Sequence, residues 1–186
     1  VGIARFPEHG RDGASLLRAA DVAMHQAKHQ AGAAVVAYQP RMAAGASGLL
    51  EIEQALAAAI EQREFQLDYQ PKFTAGARQL AGFEALVRWQ RPGRGRVSPA
   101  DFIPAAERTG QIVALGAVVL REAAQQLRSW QQQGLVVLPV AVNVSPLQFE
   151  DAGFADWLLG LVRAHGLDPA LIEVEITETA AMTHLD

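Results

Sequence analysis

The chain has 186 residues, of which 50% are hydrophobic and 19% are charged, so it can build a packed core and wholesale disorder is excluded. It contains no cysteine, which excludes disulfides, thiolate zinc sites and cysteine nucleophiles. Residues 48–186 carry 17 acidic against 11 basic side chains, within a net charge of -4 for the whole chain. This excess of acidic side chains disfavours binding to long nucleic acid, although a small phosphorylated ligand can still be bound by a few nearby residues.

The chain begins with Val1 rather than Met, so we expect it to be part of a longer protein. Its first residues lack the basic start and apolar stretch of a signal peptide. No apolar run approaches the length of about 18 residues that a membrane-spanning helix needs, so none is expected.

The first 40 residues predict a small α/β unit. Asp12 or Ser15 can cap a helix that runs to about His29, between short strands at residues 1–6 and 34–38. The following stretch, residues 40–48, is rich in Pro, Gly, Ala and Ser, which is typical of a linker. We therefore place a first domain at residues 1–42, a linker at 43–48 and a second domain at 49–186.

The second domain predicts an alternation of strands and helices. In chain order we expect a helix with an apolar stripe at Ile52, Leu56, Ala59 and Ile60, strands at 65–71 and 82–89, a helix start at Ser98–Asp101, a long amphipathic helix from Ile112 to Trp130, a buried strand at 136–144 paired from Val140, a helix from Phe154 to His165, and a strand at 171–178. Helices separate the last three strands, so these strands should be parallel.

Polar side chains are expected to gather near the carboxyl ends of these parallel strands. Residues two apart in a strand share a face, so Glu84 and Arg88 lie together, and Asn143 lies near the end of the next strand. In the last strand Glu175 lies on the polar face, whereas Glu178 lies on the face of the apolar residues. Glu, Asn and Glu are hard oxygen ligands that suit magnesium, calcium or manganese. The alternative is that Glu175 and Glu178 are charged side chains at the rim of the sheet and that Asn143 only hydrogen-bonds to a loop.

An arginine cluster follows the second of these strands. Arg88, Arg91, Arg94 and Arg96 crowd the end of the strand and the loop after it. Such a cluster can hold phosphate, although it is more often a solvated loop. Arg88 is the exception, because it shares the strand face of Glu84.

A histidine pair on the first predicted helix is a weaker candidate. His25 and His29 stand four residues apart, a spacing that zinc-binding helices use. A metalloprotease would need Glu at position 26, where this chain has Gln26, so a metal role is not expected.

Five motifs in order along the second domain resemble those of the EAL domains, the cyclic di-GMP phosphodiesterase family. They are Leu67-Asp68-Tyr69-Gln70-Pro71, Glu84-Ala85-Leu86-Val87-Arg88-Trp89, Pro99-Ala100-Asp101-Phe102-Ile103-Pro104, Asn143-Val144-Ser145 and Glu175-Ile176-Thr177-Glu178. The resemblance implies a modified TIM barrel that opens with an antiparallel strand. It also implies hydrolysis of cyclic di-GMP to linear pGpG with two magnesium or manganese ions.

The resemblance also assigns roles to single positions. Glu84, Asn143 and Glu175 match the family's metal ligands, with Glu84 also marked as catalytic. Gln70 and Arg88 match positions that contact the dinucleotide. Because every one of these positions carries the family's residue, the enzyme is favoured over the alternative, an inactive EAL domain that serves as a cyclic di-GMP receptor.

The first domain resembles the C-terminal end of a GGDEF (diguanylate cyclase-like) domain. The similar residues are Val1-Gly2-Ile3-Ala4, Phe6-Pro7, Leu17, Ala20-Asp21, Ala23-Met24 and Ala27-Lys28. A GGDEF–EAL tandem implies a cytoplasmic signalling module, a homodimer in the parent protein and an upstream sensory domain.

The chain stops at Asp186, before the paired aspartates, lysine and glutamate that follow in the family. A complete barrel needs roughly 250 residues, so we expect the α/β fold of residues 49–186 to be the N-terminal half of the barrel. The isolated chain is then expected to be inactive.

Overall fold

The fold is described from a computed structural model, which describes residues 1–29, 35–76 and 78–176. The chain divides into two compact units, Val1–Ile52 and Glu53–Asp186. Across the described residues, no helix combines the length and the apolar character that crossing a membrane requires.

The first unit contains two short parallel strands and one helix. Strand β1 is Gly2–Ile3, helix α1 is Gly13–His29, and strand β2 is Val36–Ala37. Asp12 caps α1, since its Oδ1 accepts a hydrogen bond from the Ser15 backbone N–H at 2.7 Å. The predicted order of elements is therefore confirmed, with shorter strands. Residue 34 and the side chains of the paired histidines lie outside the described residues.

The predicted linker is helical. Helix α2 runs from Pro40 to Glu61 and so includes residues 43–48. Alanine has the highest helix propensity of any residue, and proline fits the first helical position, so this composition supports a helix as well as a loop. The domain limits at 42 and 49 stay predictions.

The second unit is built on one five-stranded sheet with the order β3-β4-β6-β7, and β5 pairs with β4 outside this path. Its elements are β3 (Phe65–Phe73), β4 (Leu80–Arg91), β5 (Gly95–Val97), α3 (Pro99–Arg108), α4 (Ile112–Gln132), β6 (Val140–Asn143), α5 (Pro146–Phe149), α6 (Phe154–Ala164), one 3₁₀ turn (Pro169–Leu171) and β7 (Ile172–Glu175).

The strand directions agree with the sequence analysis. β3 is antiparallel to β4, whereas β4, β6 and β7 are mutually parallel. The short strand β5 and the single-turn helix α5 were not predicted from the sequence. The described part of the last strand ends at Glu175, and Glu178 lies outside the described residues.

One face of the sheet packs against α3 and α4. Phe65, Trp89 and Phe102 form an aromatic cluster with ring centroids 5.4–5.8 Å apart, and Trp89 and Phe102 are fully buried. Leu120 and Leu127 of α4 are fully buried as well. Each such side chain contributes about 1.5–3 kcal/mol through burial, so this face anchors the sheet and leaves the opposite face for polar groups.

Candidate functional site

The strand register places the predicted site residues on one face of the sheet. Gln70 lies directly opposite Glu84 in the β3–β4 pair, and Asn143 lies opposite Glu175 in the β6–β7 pair. Glu84 is paired with Ala141, which shares its face with Asn143 two residues later. The polar face therefore carries Asp68, Gln70, Lys72, Glu84, Arg88, Asn143, Glu173 and Glu175.

A direct contact joins two of the predicted ligands. The Asn143 side-chain N–H donates to Glu84 Oε1 at 2.7 Å. An acceptor that carries a full negative charge strengthens this bond relative to a neutral pair. Glu84 and Asn143 therefore form one polar unit that joins β4 to β6.

Glu175, the third predicted ligand, is held by a lysine that the sequence analysis missed. Lys72 Nζ lies 2.8 Å from Glu175 Oε1 and 3.0 Å from Glu173 Oε2. The hydrogen bonds that Lys72 donates to Glu175 and, to a smaller extent, to Glu173 raise the pKa of Lys72, so the ammonium stays charged. Lys72 stands two residues after Gln70, so the two-residue strand period was the signal that could have found it.

The contact between Lys72 and Glu175 also reports the shape of the sheet. Three interstrand steps, about 14 Å in a flat sheet, separate β3 from β7, and Glu175 lies four residues, about 13 Å, along the strands from the level of Lys72. The two Cα atoms would therefore be about 19 Å apart in a flat sheet, which is farther than the two side chains and one hydrogen bond can span. Lys72 and Glu175 nevertheless meet at hydrogen-bond distance. The sheet is therefore curled, and its polar face is concave.

Arg88 is fixed by an acid on the neighbouring strand. Arg88 Nε donates to Asp68 Oδ2 at 2.8 Å, and Arg88 Nη1 donates to the Val87 carbonyl at 3.2 Å. Arg96 Nη2 donates to the same Asp68 oxygen at 2.7 Å. The hydrogen bonds from Arg88 and then Arg96 hold the pKa of Asp68 below its usual value.

The expectation that Arg96 belongs to a solvated loop is wrong. Arg96 lies in β5, where it pairs with Gln90. Gly93 and Gly95 adopt positive φ angles of 73° and 78°, and these let the chain reverse tightly after β4. Arg94 lies in this reversal, between the paired residues.

A second set of hydrogen bonds supports the segment that follows Asn143. Ser145 Oγ donates to Glu107 Oε1 of α3 at 2.9 Å, and the Ser145 backbone N–H donates to Gln148 Oε1 at 3.1 Å. Gln148 is buried, with 3% of its surface exposed. The end of β6 is therefore tied to both α3 and α5.

The donor set fits a hard divalent cation in its chemistry. Glu84, Asn143 and Glu175 supply carboxylate and amide oxygens from three adjacent parallel strands. Among the residues that the structure describes, no three His, Asp or Glu side chains are grouped closely enough to hold one ion. Glu84, Asn143 and Glu175 share a face of the sheet, and their oxygens are suited to part of a coordination shell.

The sheet is curled, its strands β4, β6 and β7 are parallel, and its concave face carries carboxylate and amide groups. This is an α/β scaffold of the kind that carries active sites at strand ends. Residues 53–186 match the family model of the EAL domain. The chain therefore belongs to the EAL domain family.

Relatives and solved structures agree with this assignment. The chain is 39% identical over its full length to the bifunctional diguanylate cyclase/cyclic di-GMP phosphodiesterase MucR of Pseudomonas aeruginosa, and it covers 27% of that protein. It is 37% identical, over 96% of its length, to the cyclic di-GMP phosphodiesterase PdeR of Escherichia coli, of which it also covers 27%. The chain thus spans about a quarter of each of these relatives.

The solved structure described as PaMucR phosphodiesterase in complex with c-di-GMP superposes with a TM-score of 0.66 at 40% identity. The match covers 72% of this chain and 54% of that one.

Proposed function

We propose that the chain is part of a phosphodiesterase that hydrolyses cyclic di-GMP to linear pGpG. The observation that carries the proposal is the common face of Gln70, Glu84, Asn143 and Glu175, with Asn143 bonded to Glu84 at 2.7 Å. The relatives MucR and PdeR are named as cyclic di-GMP phosphodiesterases, and the MucR structure holds c-di-GMP.

Each residue has a role in this proposal. Glu84, Asn143 and Glu175 hold the cations, and Glu84 is the catalytic ligand of the set. Gln70 and Arg88 orient the dinucleotide, Gln70 through its amide and Arg88 through its guanidinium on the phosphate. When bound, two magnesium or manganese ions supply an activated water and stabilise charge on the phosphate. The curled sheet is part of a barrel, whose wall opposite the polar face comes from other residues of the parent protein.

A receptor that binds cyclic di-GMP without cleaving it is the second candidate. One contact favours the receptor. The Lys72 ammonium lies 2.8 Å from Glu175 Oε1, so a metal ion would have to displace the ammonium before it could bind Glu175. The enzyme is still preferred, because Glu84, Asn143 and Glu175 are all present and share one face.

The remaining parts of the proposal concern the parent protein. Residues 1–42 are the end of a GGDEF domain, a proposal supported by the match of the full chain to a bifunctional relative. A homodimer, an upstream sensory domain and a cytoplasmic location complete the proposal.

The experiment compares Glu84→Gln with Glu173→Gln in the full-length protein. Both changes remove one carboxylate from the polar face, but only Glu84 is proposed as a metal ligand. We expect Glu84→Gln to abolish pGpG formation in Mg²⁺ or Mn²⁺ with an unchanged circular dichroism spectrum, and Glu173→Gln to keep most of the activity.

Cleavage by Glu84→Gln at the parental rate would show that the metal-ligand assignment is wrong. A parent protein that binds cyclic di-GMP in calorimetry, yet forms no pGpG with either ion, would establish the receptor instead.

A further inference from the structure

Two charged residues that the proposed function leaves unused surround Arg88. Asp68 and Arg96 come from β3 and β5, the strands that flank the end of β4. Both lie on the face of Arg88, since Asp68 is diagonal to Arg88 across the β3–β4 pair and Arg96 is paired with Gln90. One carboxylate oxygen, Asp68 Oδ2, accepts from Arg88 Nε at 2.8 Å and from Arg96 Nη2 at 2.7 Å.

We propose that Asp68 is a positioning residue for Arg88 and that Arg96 keeps this corner of the site cationic, so that it binds a phosphodiester of a cyclic dinucleotide. This inference rests on the proposed function, because it deepens the role given there to Arg88.

Two hydrogen bonds fix the orientation of the Arg88 side chain. An arginine side chain has high rotamer freedom, and a ligand that immobilises it has to offset the lost entropy. Here Nε is held by Asp68 and Nη1 by the Val87 carbonyl, so the plane of the Arg88 guanidinium is fixed before a ligand arrives. Only 19% of the Arg88 side chain is exposed, which restricts it further.

Arg96 determines the net charge of the group that it forms with Asp68 and Arg88. A single arginine–aspartate pair has no net charge and attracts a phosphate weakly. Two guanidinium groups around one carboxylate leave a net charge of +1 at the corner. Arg96 therefore offsets the carboxylate that orients Arg88, and it does so with a side chain that is 52% exposed and open to salt screening.

Removing Asp68 and removing Arg96 should therefore affect ligand binding in different ways. Asp68 pairs with both arginines, but in this proposal it favours binding by orienting Arg88, so its removal should weaken binding only while Arg88 is present. Arg96 acts through its charge, so its removal should weaken binding most at low salt.

The test is calorimetric titration of cyclic di-GMP into the full-length protein and its variants. We expect Asp68→Ala to weaken binding about five- to tenfold in the parent background and less than about twofold in an Arg88→Ala background. Asp68→Asn keeps the shape and one acceptor, and it should fall between the parent and Asp68→Ala.

Arg96→Gln is compared with Arg94→Gln, which changes the same hairpin. We expect Arg96→Gln to weaken binding about two- to fivefold at low salt and to flatten the dependence on salt, with Arg94→Gln within about twofold of the parent.

Three outcomes would overturn the inference: no loss, or tighter binding, in Asp68→Ala; an equal loss in both backgrounds; or an equal loss in Arg94→Gln and Arg96→Gln. If the parent binds and Arg88→Ala weakens it, those outcomes leave the proposed function intact. If the parent itself does not bind cyclic di-GMP, the proposed function fails, and this inference fails with it.

Discussion

Gly116 of α4 lies against the segment that follows Asn143, and it offers a direct test of how that segment is held. A Cβ at this position would overlap the Gln148 side-chain nitrogen and would lie 2.6 Å from its Cδ and 2.7 Å from its Oε1. Gln148 Oε1 is the atom that accepts from the Ser145 backbone N–H. Gly116→Ala must therefore move a buried amide away from its hydrogen bond.

The expected free energy follows from three contributions. Alanine gains about 1 kcal/mol over glycine inside a helix. Overpacking a filled site costs about 1–3 kcal/mol, and a weakened hydrogen bond to a buried group costs about 1 kcal/mol more. Gly116→Ala should therefore destabilise this region by about 1–3 kcal/mol.

Gly160 of α6 is the matched control, because its Cβ would meet nothing within 4 Å. Gly160→Ala should stabilise its helix by about 0.5–1 kcal/mol, the opposite sign. Hydrogen exchange with mass spectrometry measures both opening free energies peptide by peptide in the full-length protein. The reasoning would be refuted if Gly116→Ala stabilised α4, or if its cost stayed the same in a Gln148→Ala background.

Three further predictions concern charge and the extent of the chain. Burial raises the pKa of the Glu122 carboxyl above its usual value of 4.5. The folded state therefore binds this proton more tightly than the unfolded state, and stability is lost as the pH rises from 4.5 through the raised pKa. Glu122→Gln should accordingly raise the melting temperature more at pH 7 than at pH 4, and an equal rise at both would contradict the argument. Lys72→Met frees Glu175 and should tighten Mn²⁺ binding several-fold, as measured by electron paramagnetic resonance; an unchanged affinity would show that Lys72 does not compete with the ion. A polypeptide of residues 1–186 should form no pGpG in Mn²⁺, because the two carboxylates of Glu84 and Glu175 supply too little negative charge to hold two divalent ions side by side; turnover by it would reject the half-barrel interpretation.

Local periodicity predicted much of this architecture. The apolar stripes predicted α4 and α6. The two-residue strand period predicted a common face for Glu84 and Arg88 and the polar face for Glu175, and Asn143 was predicted near the end of its strand. These features depend on neighbours within a few residues or on the known pairing rules of parallel strands.

The missed features depend on structure that local patterns do not encode. The contact of Lys72 with Glu175 requires the curl of four strands, and the contact of Arg96 with Asp68 requires a reversal at Gly93 and Gly95 that composition alone presents as a loop. The helical linker was missed because alanine and glycine together are ambiguous between helix and loop. The domain limits and the ligand roles stay predictions.

The charges on the concave face are separated along β4. Near the end of this strand, Arg88 and Arg96 outnumber the single carboxylate of Asp68. Four residues earlier in β4, the Glu84 carboxylate accepts a hydrogen bond from Asn143. The face is therefore an electric dipole, with a positive pole beside a negative one and low-dielectric protein behind both. A ligand that carries its own negative charge can satisfy only the positive pole, whereas a ligand together with divalent cations satisfies both. A field of this kind therefore orients an anionic ligand as it approaches.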